Sequence, residues 1–175
     1  MEKAVFLDRD GVINEVLSKK VKFVNKPSDI YYLEKVPEAI KMLNDKGYKI
    51  FIVTNQGGVG LGYLSKEGLE KIHTRMKQDI EKEGGIIEEF SSCIHKPYEG
   101  CACRKPEAGM ILSLAEKYEI DISQSYMIGD REPDIEAGKK AGCATILIAN
   151  QDPENLADHY FPSLYEAAKF LCGQS

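Results

Sequence analysis

The sequence lacks any apolar stretch approaching the length of a membrane span, and its opening Met1-Glu2-Lys3 runs straight into an apolar segment without a signal-peptide pattern. Both absences point to the cytoplasm and away from a membrane. An excess of positive charge is also lacking: 23 Lys and Arg stand against 28 Asp and Glu, a formal charge of −5. A broad nucleic-acid-binding face is therefore not expected, and an anionic substrate would need local cations or a metal ion against the overall field. No internal repeat, low-complexity tract or linker interrupts the chain. Its 175 residues, 43% hydrophobic and 29% charged, read as a single domain spanning 1–175 with room for a real core. Of the few histidines, His73 and His159 have no acidic or cysteine neighbours in register and read as surface or satisfied core positions. Nothing marks an interface, so a monomer is the default.

What is present is a series of apolar strands that end in polar chemistry. Residues 3–7 form the first, and they empty into Asp8-Arg9-Asp10-Gly11-Val12-Ile13-Asn14. On an extended chain Asp8 and Asp10 can leave one face while Arg9 points away. Residues 15–35 read as a long loop over one end of a sheet, carrying Lys19, Lys20, Lys22 and Lys26 among aromatics. Pro37 opens a helix through about Lys46. A strand over 49–53 then ends in Thr54-Asn55-Gln56, followed by four glycines within residues 57–62 that leave the backbone free to approach a ligand. Ser65 caps a helix to about Glu83, an apolar segment covers 86–94, and a helical pattern covers 106–118. Residues 125–128 form a strand that ends in Gly129-Asp130-Arg131, and a helix stopped by Gly142 follows. Residues 144–149 and 159–161 read as further strands, and 163–172 as a closing helix. Strand–helix alternation with right-handed crossovers predicts an α/β fold with a doubly wound, mainly parallel sheet and helices on both faces.

In such a sheet the carboxyl ends of the strands share one edge, so Asp8, Asp10, Thr54, Asn55 and Asp130 can converge, with Arg104-Lys105 nearby. Asp8, Asp10 and Asp130 make an oxygen-rich nest suited to Mg²⁺. Thr54, Asn55 and Lys105 supply donors for phosphate oxygens. A metal on one side and a cation on the other is what a transferring phosphoryl group requires. Asp8 is then the nucleophile that takes the phosphoryl group, and Asp10 the general acid and base.

Asp8-Arg9-Asp10-Gly11, Thr54-Asn55, Lys105 and Gly129-Asp130 resemble, in order, the four motifs of the haloacid-dehalogenase-like (HAD) phosphohydrolases. The resemblance implies a Rossmann-like core, Mg²⁺, an aspartyl-phosphate intermediate, and a metal contact from the Asp10 backbone carbonyl. No insertion between the motifs is long enough for a separate cap domain. Asp134 and Arg131 are ambiguous, and for Asp134 an exposed position at a helix start is the expectation.

Cys93, His95, Cys101 and Cys103 offer three thiolates and an imidazole within eleven positions, a closed set typical of structural Zn²⁺. The metal would pin a loop and fix Arg104 and Lys105 over the phosphate site. Cys143 and Cys172 read as small core residues. The zinc loop, with its Cys-x-Cys-Arg-Lys-Pro ending at 101–106, resembles that of the D-glycero-D-manno-heptose 1,7-bisphosphate 7-phosphatases, enzymes of nucleotide-activated heptose biosynthesis, and of the related histidinol-phosphate phosphatases. Asp8 to Asn14, Thr54-Asn55-Gln56 and Gly109-Met110 favour the heptose enzymes. That resemblance implies hydrolysis of the C7 phosphate of a sugar bisphosphate, with Thr54, Asn55, Gln56, Arg104 and Lys105 binding substrate. The chain departs from the family at residues 57–62, where Gly-Gly-Val-Gly-Leu-Gly replaces the usual Ser-Gly-Ile-Ala-Arg-Gly, and in its lysine-rich loop. The lysine loop and zinc loop are expected to enclose the substrate, with Arg104 and the lysines reading its second charge. The alternative enzyme is a histidinol-phosphate phosphatase or another small-metabolite phosphomonoesterase, and the non-enzymatic alternative a zinc-stabilised binding module or an inactive regulatory relative.

Overall fold

A computed structural model gives the structure of the chain, described here over residues 1–173. The apolar runs become strands β1 (Lys3–Leu7), β2 (Tyr48–Asn55), β3 (Glu89–Cys93), β4 (Tyr126–Gly129), β5 (Ala144–Ile148) and β6 (His159–Phe161). Every neighbouring pair is parallel, and the sheet runs in the order β3-β2-β1-β4-β5-β6. The chain therefore winds outward from β1 through β2 to β3, then returns to β1's other side and winds out again. The reversal lies between β1 and β4, the crevice where open α/β sheets bind ligands.

Alternation along β1 sends Val5 and Leu7 to one face and Ala4 and Phe6 to the other. On the first face α1 (Val36–Asp45) and α6 (Leu164–Cys172) pack side by side through Ile40, Leu43, Leu164 and Leu171. On the second, α4 (Gly109–Tyr118) and α5 (Glu132–Ala141) cover Phe6, Phe51 and Met127 with Ile111, Leu114 and Ala137. Phe6 and Phe51 stack at 5.4 Å across the pair of central strands. The long helix α3 (Lys66–Lys82) starts where Ser65 Oγ accepts the Gly68 amide, and it holds the 21–32 segment against Ile72 and Met76. Among the described residues no helix is long and apolar enough to cross a membrane.

Three expectations shift at their edges. The strand expected over 49–53 extends to Asn55, because Thr54 and Asn55 pair with Ser92 and Cys93 of β3. The apolar segment over 86–94 contributes only Glu89–Cys93, a half-exposed edge strand. The glycines after Gln56, expected to leave the backbone free to approach a ligand, wind into a one-turn helix, α2 (Gly57–Gly60). A side chain at Gly60 would collide with the Ile94 carbonyl, so these glycines serve close packing against the cysteine loop.

Candidate active site

Asp8 follows directly on β1, and its amide donates to Ile128 O of β4, which fixes the residue at the reversal of the sheet. Asp130 follows β4, and Asp134 sits in the first turn of α5. One carboxylate oxygen from each of Asp8, Asp130 and Asp134 lies within 4.8 Å of the other two. Gly11, with φ of +89°, lets the turn after β1 pass close to Asp130, since any Cβ there would collide with that carboxylate. Gly129 has the same steric role toward Asp134.

Lys105 is buried among these acids. Its ammonium donates to Asp8 Oδ1 at 2.8 Å, Asp134 Oδ1 at 2.6 Å and the Val53 carbonyl at 2.9 Å. Asn55 holds the lysine in place by accepting the Lys105 amide at 2.9 Å and donating to its carbonyl at 3.1 Å. Burial opposes charge on this ammonium, but Asp8 and Asp134 outweigh it and hold the Lys105 pKa above the usual lysine range. Burial pushes the Asp8 carboxyl up to about 8, with Lys105 opposing and Asp134 adding to the rise. Asp130 is raised too, by burial and by Asp134. Three carboxylates around one ammonium form a group short of positive charge, and Asp130 Oδ1 is buried without a hydrogen-bond partner. Oxygen donors, surplus negative charge and an orphaned carboxylate oxygen fit a hard divalent cation such as Mg²⁺.

Asp134 thus belongs to the site. The expectation of an exposed helix-start residue is corrected: it is 3% exposed, its Oδ2 caps α5 at the Arg131 amide, and its Oδ1 meets Lys105. Its spacing of four from Asp130 at a helix start was the available signal.

Asp10 lines the same cleft, of about 470 Å³, but its carboxylate faces a different set of partners. Arg9 Nε and Nη2 donate to Oδ1 at 3.0 and 2.8 Å, Asn14 Nδ2 donates to Oδ1 at 3.0 Å, and Gln56 Nε2 donates to Oδ2 at 3.3 Å. Burial would raise this acid, but Arg9 and the hydrogen bonds hold it below the usual carboxylate range. Arg9 was expected to point away. The two-residue alternation behind that expectation ends with β1 at Leu7, and the turn over 9–14 folds Arg9 back until it is 1% exposed.

The remaining predicted residues fall unevenly. Thr54 is buried, and its Oγ1 accepts Gln56 Nε2 at 2.8 Å, so the pair backs Asp10. Asn55 and Lys105 line the cleft together with Arg131 and Pro133. Arg104 does not line it. It lines a smaller neighbouring hollow with Tyr98, and its Nη1 is buried beside Gly57 without a partner. The lysine-rich loop presents Val16, Leu17 and Phe23 to the cleft, while Lys20 turns to Glu15 and the Tyr31 ring and Lys22 lies over Phe23.

Beside the acidic group, Cys93, His95, Cys101 and Cys103 place three sulfurs and one imidazole nitrogen within 4.8 Å of one another. His95 Nδ1 is 3.4 Å from Cys93 Sγ and 3.1 Å from Cys103 Sγ, and Cys93 Sγ is 3.5 Å from Cys101 Sγ. The donor set and its closure fit a four-coordinate structural zinc.

Comparison with known proteins agrees with this geometry. A family profile described as HAD-hydrolase-like matches residues 102–167. The chain is 39% identical over 147 residues to the D-glycero-alpha-D-manno-heptose-1,7-bisphosphate 7-phosphatase of Photorhabdus laumondii, covering 80% of this chain and 78% of that protein. It is 37% identical over 152 residues to the D-glycero-beta-D-manno-heptose-1,7-bisphosphate 7-phosphatase of Helicobacter pylori, covering 86% of each. Its fold matches the B. bronchiseptica D,D-heptose 1,7-bisphosphate phosphatase, solved with magnesium and phosphate, with a TM-score of 0.88, 29% identity and 99% coverage of both chains.

Proposed function

We propose a function from one premise: the chain belongs to the D-glycero-D-manno-heptose-1,7-bisphosphate 7-phosphatases, within the HAD-like hydrolases. It is a phosphoric monoester hydrolase that removes the C7 phosphate of D-glycero-D-manno-heptose 1,7-bisphosphate. The observation that carries this reading is the convergence of Asp8, Asp130 and Lys105 at the reversal of the sheet, with Asp10 on the same cleft.

The residues divide the work by charge. Asp8 attacks phosphorus, a P–O bond forms to its carboxylate, and the bond from phosphorus to the C7 oxygen breaks. Asp10 gives that departing alkoxide the proton it kept from the previous hydrolysis, then takes a proton from the water that attacks phosphorus as the Asp8–phosphorus bond breaks, which releases phosphate, restores Asp8 and reloads Asp10. Asp8 and Asp130, with the backbone carbonyl of Asp10, would hold Mg²⁺, which when bound offsets the charge of the phosphoryl oxygens. Lys105 meets those oxygens from the other side while Asp134 and Asn55 hold it in place. Asn55 lies within reach of substrate on the cleft wall, and Thr54 and Gln56 support Asp10 from behind. Arg131 on the cleft wall, with Arg104 in the adjoining hollow, would be the cations that read a second phosphate. The chain would act as one domain over 1–175 and as a cytoplasmic monomer.

Phosphate release is the test. The heptose 1,7-bisphosphate should exceed histidinol phosphate and fructose 1,6-bisphosphate in kcat/KM by at least about 100-fold. Equal activity on all three would overturn the substrate assignment. Both anomers belong in the panel, since the relatives differ in theirs.

Zn²⁺ at Cys93, His95, Cys101 and Cys103 would be structural, tethering the segment that carries Lys105. Metal analysis should find about one zinc per chain in the wild type and none in a Cys93→Ser variant, with activity reduced about 10- to 100-fold as the lysine loses its anchor. A zinc-free wild type with full activity would contradict this.

A further inference from the structure

Among the described residues His73 is the one buried histidine, and it lies on α3, outside the lining of the catalytic cleft. Its ring stacks on Phe90 of β3 at a centroid distance of 4.5 Å and an interplanar angle of 19°. Its Nε2 lies 3.1 Å from Arg9 Nη1. A guanidinium has no acceptor, so the ring nitrogen must accept, and the imidazole is neutral with its proton on Nδ1. Burial, with help from Arg9, pushes the His73 pKa down to about 3, in keeping with that state.

The same guanidinium spends its other two nitrogens on a single oxygen, Asp10 Oδ1, which also accepts from Asn14. Oδ1 therefore receives three donors and has no room for a proton, whereas Oδ2 has only the 3.3 Å contact from Gln56. An arginine at 1% exposure, met by one carboxylate and one neutral ring, is held in a single orientation by partners on both sides.

We propose that His73 and Arg9 are positioning residues for Asp10: the ring on α3 fixes the guanidinium, which saturates Oδ1 and leaves Oδ2 as the oxygen that exchanges protons with leaving group and water. Neither residue touches substrate. Both act through Asp10, and the inference rests on the phosphatase reading above. It gives α3 and the edge strand β3 a part in the chemistry, since Phe90 sets the plane of the ring.

The test compares leaving groups. A sugar alkoxide must be protonated as it departs, whereas p-nitrophenolate leaves without a proton, so misplacement of Oδ2 should penalise the first substrate selectively. kcat/KM covers only the steps through departure of the leaving group and is the quantity to read. His73→Phe keeps the stacked ring and removes the acceptor. It should lower kcat/KM on the heptose bisphosphate about 10- to 100-fold, and lower the ratio of that value to the one for p-nitrophenyl phosphate about 10-fold or more. His73→Gln, whose amide oxygen can accept from Arg9, should recover most of the ratio. Equal losses on both substrates, an unchanged ratio, or a glutamine variant no better than phenylalanine would each overturn the inference and leave the phosphatase reading standing. A wild-type protein that hydrolyses neither substrate would overturn both.

Discussion

Replacing Asp8 by Asn is expected to lower turnover by about 10⁴-fold or more, since a neutral amide cannot form the covalent intermediate on which both half-reactions depend. The substitution keeps the side chain's size, and the amide oxygen can still accept the Lys105 ammonium that now reaches Asp8 Oδ1 at 2.8 Å. Asp134 keeps its own 2.6 Å contact with that lysine, so the ammonium does not lose its charged partner. The loss should therefore appear in steady-state phosphate release with thermal unfolding little changed. Mg²⁺-dependent turnover of a few per cent of wild type would show that another group attacks phosphorus.

Lys105→Met should have the second largest effect, and it separates two roles. In the proposed mechanism the ammonium would face the transferring phosphoryl group, and loss of one such preorganised donor costs about 10² to 10³ in kcat. It also balances Asp8 and Asp134 in a nearly dry setting, where Lys105 is 4% exposed. Removing one partner of a buried ion pair destabilises by about 3–5 kcal/mol, because the charges left behind are uncompensated. Without Mg²⁺ the variant should therefore unfold at lower denaturant than wild type. With Mg²⁺ the order should narrow, since the acidic group then favours the metal more strongly, and calorimetric titration should show tighter Mg²⁺ binding even as turnover falls. Weaker Mg²⁺ binding in the variant would contradict this account of the charge balance.

The parts of this site that were legible in the sequence are those set by strand ends. Asp8 and Asp130 each follow an apolar run, and a parallel sheet must bring such ends to one edge. Lys105 was legible through its neighbours, because the cysteine loop that precedes it has ligand spacing. The strand boundaries moved by a residue or two, which leaves these placements intact.

The residues whose roles were not legible depend on what happens after the strands stop. Arg9 was assigned by an alternation that ends at Leu7, and only the turn in which the Ile13 amide bonds the Arg9 carbonyl at 2.8 Å brings its guanidinium onto Asp10. His73 reaches that guanidinium across 64 residues of chain, a tertiary contact without local pattern. Asp134 looked like a helix-start acid and is one, since it caps α5. Its second oxygen belongs to the site because Gly129 lets α5 press against the strand end. The loop after Asn14 misled in another way. Its lysines suggested anion recognition, yet the backbone turns Val16, Leu17 and Phe23 toward the cleft.

The central claim, that Asp8 becomes phosphorylated, is tested most directly by mixing wild-type protein with excess radiolabelled substrate and Mg²⁺, quenching in acid within milliseconds, and mapping the label. The account predicts an acid-stable, hydroxylamine-sensitive phosphoryl group on the peptide that contains Asp8, present in wild type and absent from the Asp8→Asn variant. Label on any other residue, or undiminished label in that variant, would contradict it.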